Sequence, residues 1–236
     1  MVSLNSEIKA KLMEQGASLV GFSDIGEVPI DMRGSLNFGI SIAVALDVSI
    51  VNEITRGPTE RYYQEYERVN ALLSHLCESA VDVLAGRRKH AKAVQPTIEP
   101  PDHQTLAAEL AHKTVATRAG LGWIGKSALL VTEEYGPAVR LATVLTDAEL
   151  EAGHAVNNSR CGDCKKCVES CPGKAIVGKN WQAGTERHTI YDAFACCETA
   201  TKLSKKIGIP STICGICINV CPWTRKYISR GPASSE

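Results

Sequence analysis

Nine of the ten cysteines in this 236-residue chain lie between Cys161 and Cys221. Cys161, Cys164, Cys167 and Cys171 form CGDCKKCVESCP, and Cys214, Cys217 and Cys221 repeat its second half as CGICINVCPW. In a C-x2-C-x2-C-x3-C-P run, the first three thiolates wrap one polynuclear iron-sulfur core while the fourth, displaced into a following helix, points at a different core. Zinc is the main rival, because C-x2-C pairs also build four-cysteine zinc sites. The triple spacing and the Cys-Pro ending of both halves favour iron and sulfide over zinc. A disulfide framework fits less well, since the chain is expected in the reducing cytoplasm.

The run matches the crossed ligation of bacterial two-cluster ferredoxins. On that pattern one [4Fe-4S] cluster takes Cys161, Cys164, Cys167 and Cys221. A second takes Cys171, Cys214, Cys217 and one of the adjacent pair Cys196 and Cys197, with Cys196 preferred. The other member of the pair then serves as a small buried hydrophobe. Such clusters transfer single electrons at potentials spanning roughly −700 to +450 mV, so they imply electron handling without naming the acceptor. An electron donor such as a ferredoxin or flavodoxin is the expected partner.

The cysteine-rich last third and the cysteine-poor remainder predict two domains, at 1–155 and 156–236, divided in the polar stretch EAGHAVNNSR. Apolar residues make up 44% of the chain, enough to build a core. Lys and Arg total 26, as do Asp and Glu, so net charge gives no pull toward nucleic acid or an anionic membrane, and nucleic acid is not expected as a partner. No apolar run approaches the roughly 18 residues of a membrane span, and the opening residues lack the apolar centre of a secretory signal.

Several elements are legible. A short helix with Ile8 and Leu12 on one face, capped by Asn5 or Ser6, stops at Gly16. Strands are predicted in ASLVGFSDI, over 38–46 and over 138–146. The strongest signal spans 59–85, where Tyr63, Tyr66, Asn70, Leu73, Cys77, Ala80 and Leu84 recur at helical spacing, which puts Cys77 in a core. The basic run RRKHAK reads as a solvated helix end. A second helix is predicted over TLAAELAHKTVATRAG from its Leu, Ala and Lys content. The first domain is thus α+β.

GLGWIGKS, at 120–127, fits both a phosphate loop and a dinucleotide fingerprint. Either needs a strand before the glycines and a helix after them. Here the order is reversed, so a helix-to-strand turn with Trp123 anchored in the core is the stronger reading.

Taken together, RAGLGWIGKSALLV, EYG, a strand ending in TD and the two cysteine motifs resemble epoxyqueuosine reductase, the cobalamin and iron-sulfur enzyme of queuosine biosynthesis, from about residue 38 to 226. The resemblance implies a first domain like the cobalamin-binding domain of reductive dehalogenases, related to nitroreductases, and a ferredoxin-like second domain. It also implies electron flow through the clusters to a corrinoid that reduces an electrophilic substrate, with help from a protein acid. Tyr63, Tyr66, Gly120, Gly122, Trp123 and Gly125 become candidate corrinoid contacts.

Three departures accompany it. At the position of the family's candidate proton donor, an aspartate, stands Leu106, which leaves Asp102, His103 and His112 as candidate acids. The family's C-terminal helical repeats, associated with tRNA, have no counterpart in this sequence, and the charge balance gives no tRNA footprint beyond a patch at Arg87 to Lys92. A short relative that reduces an unidentified substrate through a corrinoid is therefore the leading expectation. An electron carrier that docks on a corrinoid protein, and a tRNA-modifying enzyme with a relocated acid, are the alternatives.

Overall fold

The computed structural model describes residues 3–96 and 104–231. In chain order the elements are α1 (Leu4–Glu14), β1 (Leu19–Asp24), α2 (Ile30–Arg33), β2 (Phe38–Ala45), α3 (Val48–Glu53), α4 (Glu60–Gly86), β3 (Ala91–Val94), α5 (His112–Arg118), β4 (Trp123–Ile124), β5 (Leu130–Val131), β6 (Val139–Thr146), α6 (Lys166–Ser170), a 3-10 turn at Arg187–Thr189, α7 (Ala193–Lys206), α8 (Ile216–Asn219) and α9 (Pro222–Arg230). They form two compact units: 1–45, 69–122 and 140–156 in the first, and 46–68, 123–139 and 157–236 in the second. A seam thus falls at 156/157, yet two segments from the first 155 residues belong with the cysteines.

The first unit is built on a four-stranded sheet ordered β1-β2-β6-β3. β1 and β2 pair antiparallel from Leu19↔Ala43 to Asp24↔Phe38, and β3 pairs antiparallel with β6. Ile40, Ile42, Ala43 and Val44 are nearly all interior, which explains the continuous apolar run of β2: both faces are covered. Helix α4 buries Val69, Leu73, Leu76, Cys77, Ala80 and Leu84. From residue 69 on, the stripe follows the predicted spacing except that Val69 is buried where Asn70 was expected and Asn70 is half-buried; at the start of the helix, which belongs to the second unit, Tyr62 is buried where Tyr63 was expected. Two glycines permit close packing in this unit. A Cβ on Gly39 would lie 2.7 Å from Val115 Cγ1, and one on Gly21 would lie 2.8 Å from Leu121 Cδ2.

Two local expectations fail for identifiable reasons. Ser3, not Asn5 or Ser6, caps α1, its hydroxyl accepting from the Ser6 amide. Residues 105–111 are not helical: Leu106 adopts a left-handed φ of 48°, and the Thr105 hydroxyl accepts from the Ala107 amide, so local turn chemistry overrides propensity. Helix begins only at His112.

The second unit carries short helices joined by turns. Tyr227 at its end donates to the Leu46 carbonyl at 3.0 Å and meets Tyr135 edge-on at 5.1 Å. Among the described residues, no helix is long and apolar enough to cross a membrane.

Candidate functional site

The two cysteine motifs adopt related local structures. In the first, the Cys164 amide donates to the Cys161 carbonyl across a turn, and Gly162 takes a φ of 54°. Cys167 sits in the first turn of α6, and Cys171 leaves that helix in extended conformation. In the second, Gly215 (φ 81°) turns the chain after Cys214, Cys217 lies in α8, and Cys221 precedes α9, whose first position is Pro222. A proline there lacks only an amide that no helical carbonyl would have accepted. Helices α6 and α8 pack against each other.

Helix α7 brings in the remaining pair. The Asp192 carboxylate caps it by accepting from the Phe194 and Ala195 amides at 3.0 Å each. Gly173, just after Cys171 and Pro172, lets α7 approach, since a Cβ there would lie 2.4 Å from Thr199 Oγ1.

The thiols fall into two electrostatic neighbourhoods. Cys167 is influenced by Cys161, Cys164 and Cys221, and Cys221 by Cys161 and Cys164. Cys217 is influenced by Cys196, Cys214 and Cys171, and Cys214 by Cys196 and Cys171. The neighbourhoods adjoin at Cys217, which is also influenced by Cys167 and lines the same cavity. Cys196, rather than Cys197, is the member of the pair that faces Cys171, Cys214 and Cys217, and it also meets the Tyr191 side chain.

Burial, and then the crowding of like groups, pushes the Cys167 thiol up to about 11; burial likewise raises Cys196, Cys214, Cys217 and Cys221. So many crowded thiols cannot ionise together unless a polycationic core sits among them, and a metal core reverses that penalty. The donor set therefore fits iron-sulfur clusters. The Ala175 amide already points at Cys171 Sγ, 3.4 Å away, the kind of N–H contact that stabilises a ligating sulfur. A cavity of about 420 Å³, open mouth included, is lined by Cys161, Cys164, Cys167, Cys217 and Cys221 together with Gly125 and Lys126.

GLGWIGKS forms no nucleotide loop. Trp123 and Ile124 pair with Val131 and Leu130 in a β-hairpin, so the glycines precede a strand and no helix N-terminus awaits a phosphate. The hairpin turn is closed by bonds from the Gly125 amide to the Leu129 carbonyl and from the Ala128 amide to the Gly125 carbonyl, each 2.9 Å. Trp123 is fully buried, edge-on to Trp223 at 5.0 Å, with Arg160 over its ring. Lys126, the apparent phosphate-loop lysine, turns inward instead. Its Nζ donates to the Gly162 carbonyl at 2.7 Å and the Cys164 carbonyl at 3.1 Å, both within the first cysteine turn. Sequence reasoning missed this residue because G-K-S was tested only for phosphate.

The candidate corrinoid contacts fare differently from the cysteines. Trp123, Tyr66, Gly122 and Gly125 are buried, Tyr63 is half-buried and Gly120 exposed. Gly120 has its own structural reason, a φ of 77° and a Cβ position 2.8 Å from the His154 carbonyl oxygen. Among the candidate acids, Asp102 and His103 lie outside the described residues. Both ring nitrogens of His112 are engaged: Nδ1 lies 2.9 Å from Thr143 Oγ1 and Nε2 3.0 Å from the Gln95 carbonyl. Leu106 is half-buried.

Residues 160–224 match the family described as 4Fe-4S double cluster binding domain. The epoxyqueuosine reductase of Synechocystis sp. is 31% identical over 125 residues, covering 49% of this chain and 40% of that protein. The chain thus spans well under half the length of that relative. An epoxyqueuosine reductase solved with an epoxyqueuosine-modified tRNA-Tyr stem loop superposes with a TM-score of 0.65 at 21% identity, covering 94% of this chain and 65% of that one. A reductive dehalogenase whose structure is described as suggesting a mechanism for B12-dependent dehalogenation reaches 0.70 at 17% identity, over 93% of this chain and 31% of that one. At these identities the two solved structures establish the α+β fold, while residues 160–224 match a double [4Fe-4S] domain and about half of the chain is similar to curated epoxyqueuosine reductases.

Proposed function

We propose that this chain is an iron-sulfur oxidoreductase of the epoxyqueuosine reductase type, acting on an epoxide-bearing nucleoside in a tRNA stem loop, with a corrinoid held by the first unit. The observation that carries the redox reading is the gathering of eight thiols into two neighbourhoods within the segment that matches a double-cluster domain. On this proposal Cys161, Cys164, Cys167 and Cys221 hold one cluster, and Cys171, Cys196, Cys214 and Cys217 the other. When bound, the clusters would supply single electrons. The Ala175 amide and the Asp192 cap hold Cys171 and α7 in place for them.

The tRNA reading draws support from the solved epoxyqueuosine reductase bound to a modified tRNA stem loop, whose name the curated relatives share, and from the distribution of charge. Residues 157–236 hold 12 Lys and Arg against 6 Asp and Glu, a net of +6, whereas 1–156 hold 14 against 20, a net of −6. The balanced total conceals this asymmetry, so it is no argument against a polyanionic partner. Corrinoid binding is supported by the likeness to the dehalogenase and not by the six candidate residues, four of which are buried. With His112 tied, Asp102 and His103 are the proposed proton donors.

The test is anaerobic reconstitution of the chain, iron and sulfide analysis, titration with cob(II)alamin followed by electron paramagnetic resonance, and incubation with epoxyqueuosine-bearing stem loop. About eight irons per chain, an altered cobalt spectrum and conversion of the modified nucleoside are expected. Eight irons with neither corrinoid binding nor conversion would favour a second reading, an electron carrier that docks on another redox protein, which the aliphatic Leu106 at the acid position supports.

A further inference from the structure

Lys126 and Glu65 are the only charged side chains among the described residues that are nearly fully buried. Glu65 has its charge answered by a two-pronged contact from Arg68 at 2.7 and 2.8 Å and by the Asp47 amide. Lys126 has two carbonyls, those of Gly162 and Cys164, and none of the described ion pairs includes it. Carbonyl dipoles solvate an ammonium group in part, but a buried cation is costly without a counter-charge. The same residue lines the cavity around Cys161, Cys164 and Cys167. A [4Fe-4S] core held by four thiolates carries net negative charge, and more of it after one-electron reduction.

We infer that Lys126 is the built-in counter-charge of the cluster held by Cys161, Cys164, Cys167 and Cys221, a positioning residue that raises that cluster's reduction potential and clamps its Cys161–Cys164 turn. The inference rests on the ligand assignment proposed above. Two structural features make the position specific. The hairpin β4–β5 is anchored by the fully buried Trp123, so the turn carrying Lys126 has a fixed origin. The neighbouring Gly125 brings the backbone of this turn close to a ligand, since a Cβ there would lie 2.8 Å from Val131 Cγ2 and 3.5 Å from Cys161 Sγ. A fixed cation in a poorly solvated site acts more strongly than exposed lysines nearby, whose fields are screened. It favours whichever redox state is more negative, so it makes this cluster easier to reduce and leaves the Cys171 cluster comparatively untouched.

The experiment uses the reconstituted full chain as wild type, Lys126→Gln and Lys126→Arg, each analysed for iron and titrated with dithionite under mediators while electron paramagnetic resonance follows each cluster. In Lys126→Gln, which can still donate to a carbonyl, the reduced-to-oxidised ratio of one cluster at fixed ambient potential should fall about tenfold, equivalent to a midpoint about 59 mV more negative for one electron. The other cluster should shift far less, and Lys126→Arg should recover most of the difference. Loss of about four irons in Lys126→Gln with retention in Lys126→Arg would also support the inference. An unchanged ratio in Lys126→Gln, equal shifts in both clusters, or equal iron loss in both variants would overturn it while leaving the ligand assignment intact. A wild type that assembles no clusters would sink that assignment, and this inference with it.

Discussion

The sheet-bearing unit and the cysteine segment solve the problem of holding a chain together in different ways. Around the β1-β2-β6-β3 sheet, fully buried Ile40, Ile42, Leu73 and Leu84 supply the usual apolar burial, and even a cysteine serves that end: Cys77 is buried on α4, and burial pushes its thiol up to about 12. Over 157–231, by contrast, isolated bridges such as Asn158↔Gln182 and Ile176↔Tyr191 replace a sheet, the helices are mostly one or two turns long, and every cysteine is only partly covered. The lesson is that one residue type has two physical roles here. Where apolar neighbours are plentiful, cysteine is packing. Where the motif spacing gathers several thiols together, they form a donor set for metal, whose binding free energy becomes folding free energy.

The most severe challenge to that contrast is removal of the iron. Treating the reconstituted protein with oxidant and chelator should abolish hydrogen-exchange protection across 157–231 while the amides of β1 and β2 stay protected. Simultaneous loss in both regions would mean that the sheet also depends on metal. Next in size, Cys196→Ala should cost about four irons per chain and Cys197→Ala none, because Cys196 is the one that faces Cys171, Cys214 and Cys217. The converse pattern in an iron assay would reverse the ligand choice. On the other side of the comparison, Leu73→Ala opens a cavity beneath α4 and should lower stability by about 3 kcal/mol in urea unfolding while iron content is unchanged. Iron loss in that variant would show that the apolar core and the metal centre are energetically one.

How far each region was legible follows from the same physics. Strands β1, β2 and β6 were visible because their burial is continuous over four, six and five residues, and helix α4 because its burial is periodic. The cysteine motifs were visible because ligation fixes spacing in sequence. Three features escaped. The start of α5 was misjudged because the left-handed turn at Leu106 defeats a propensity sum. The segments 46–68 and 123–139 could not be assigned to the second unit, since the contacts that bind them are long-range: the Asn219 side-chain amide donates to the Val51 carbonyl at 2.7 Å, and Gly136 lets its backbone meet Thr224 closely. Lys126 escaped because a lysine after Gly looks the same in sequence whether it meets phosphate or backbone carbonyls.

The finest distinction concerns His112, whose role as a tie can be separated from a role as an acid by the pH dependence of stability. Burial, with a smaller contribution from the Arg140 charge, holds its pKa below the usual 6.5, although the contact to the Gln95 carbonyl works in the opposite sense. In the neutral ring Nε2–H donates to that carbonyl and Nδ1 accepts from the Thr143 hydroxyl. The unfolded chain binds a proton near pH 6.5 and the folded chain only at lower pH, so between those values the unfolded state holds more protons. Stability should therefore be complete above pH 6.5 and decline as the pH falls through 6.5 toward the folded value, where the decline from this residue ends. Urea midpoints measured from pH 7.5 down to pH 5 should show a steeper loss in the wild type than in His112→Gln, which starts lower at neutral pH for want of the two-sided tie. Parallel slopes in the two proteins would mean that His112 titrates alike in both states, and would return it to the pool of groups free to exchange a proton with substrate.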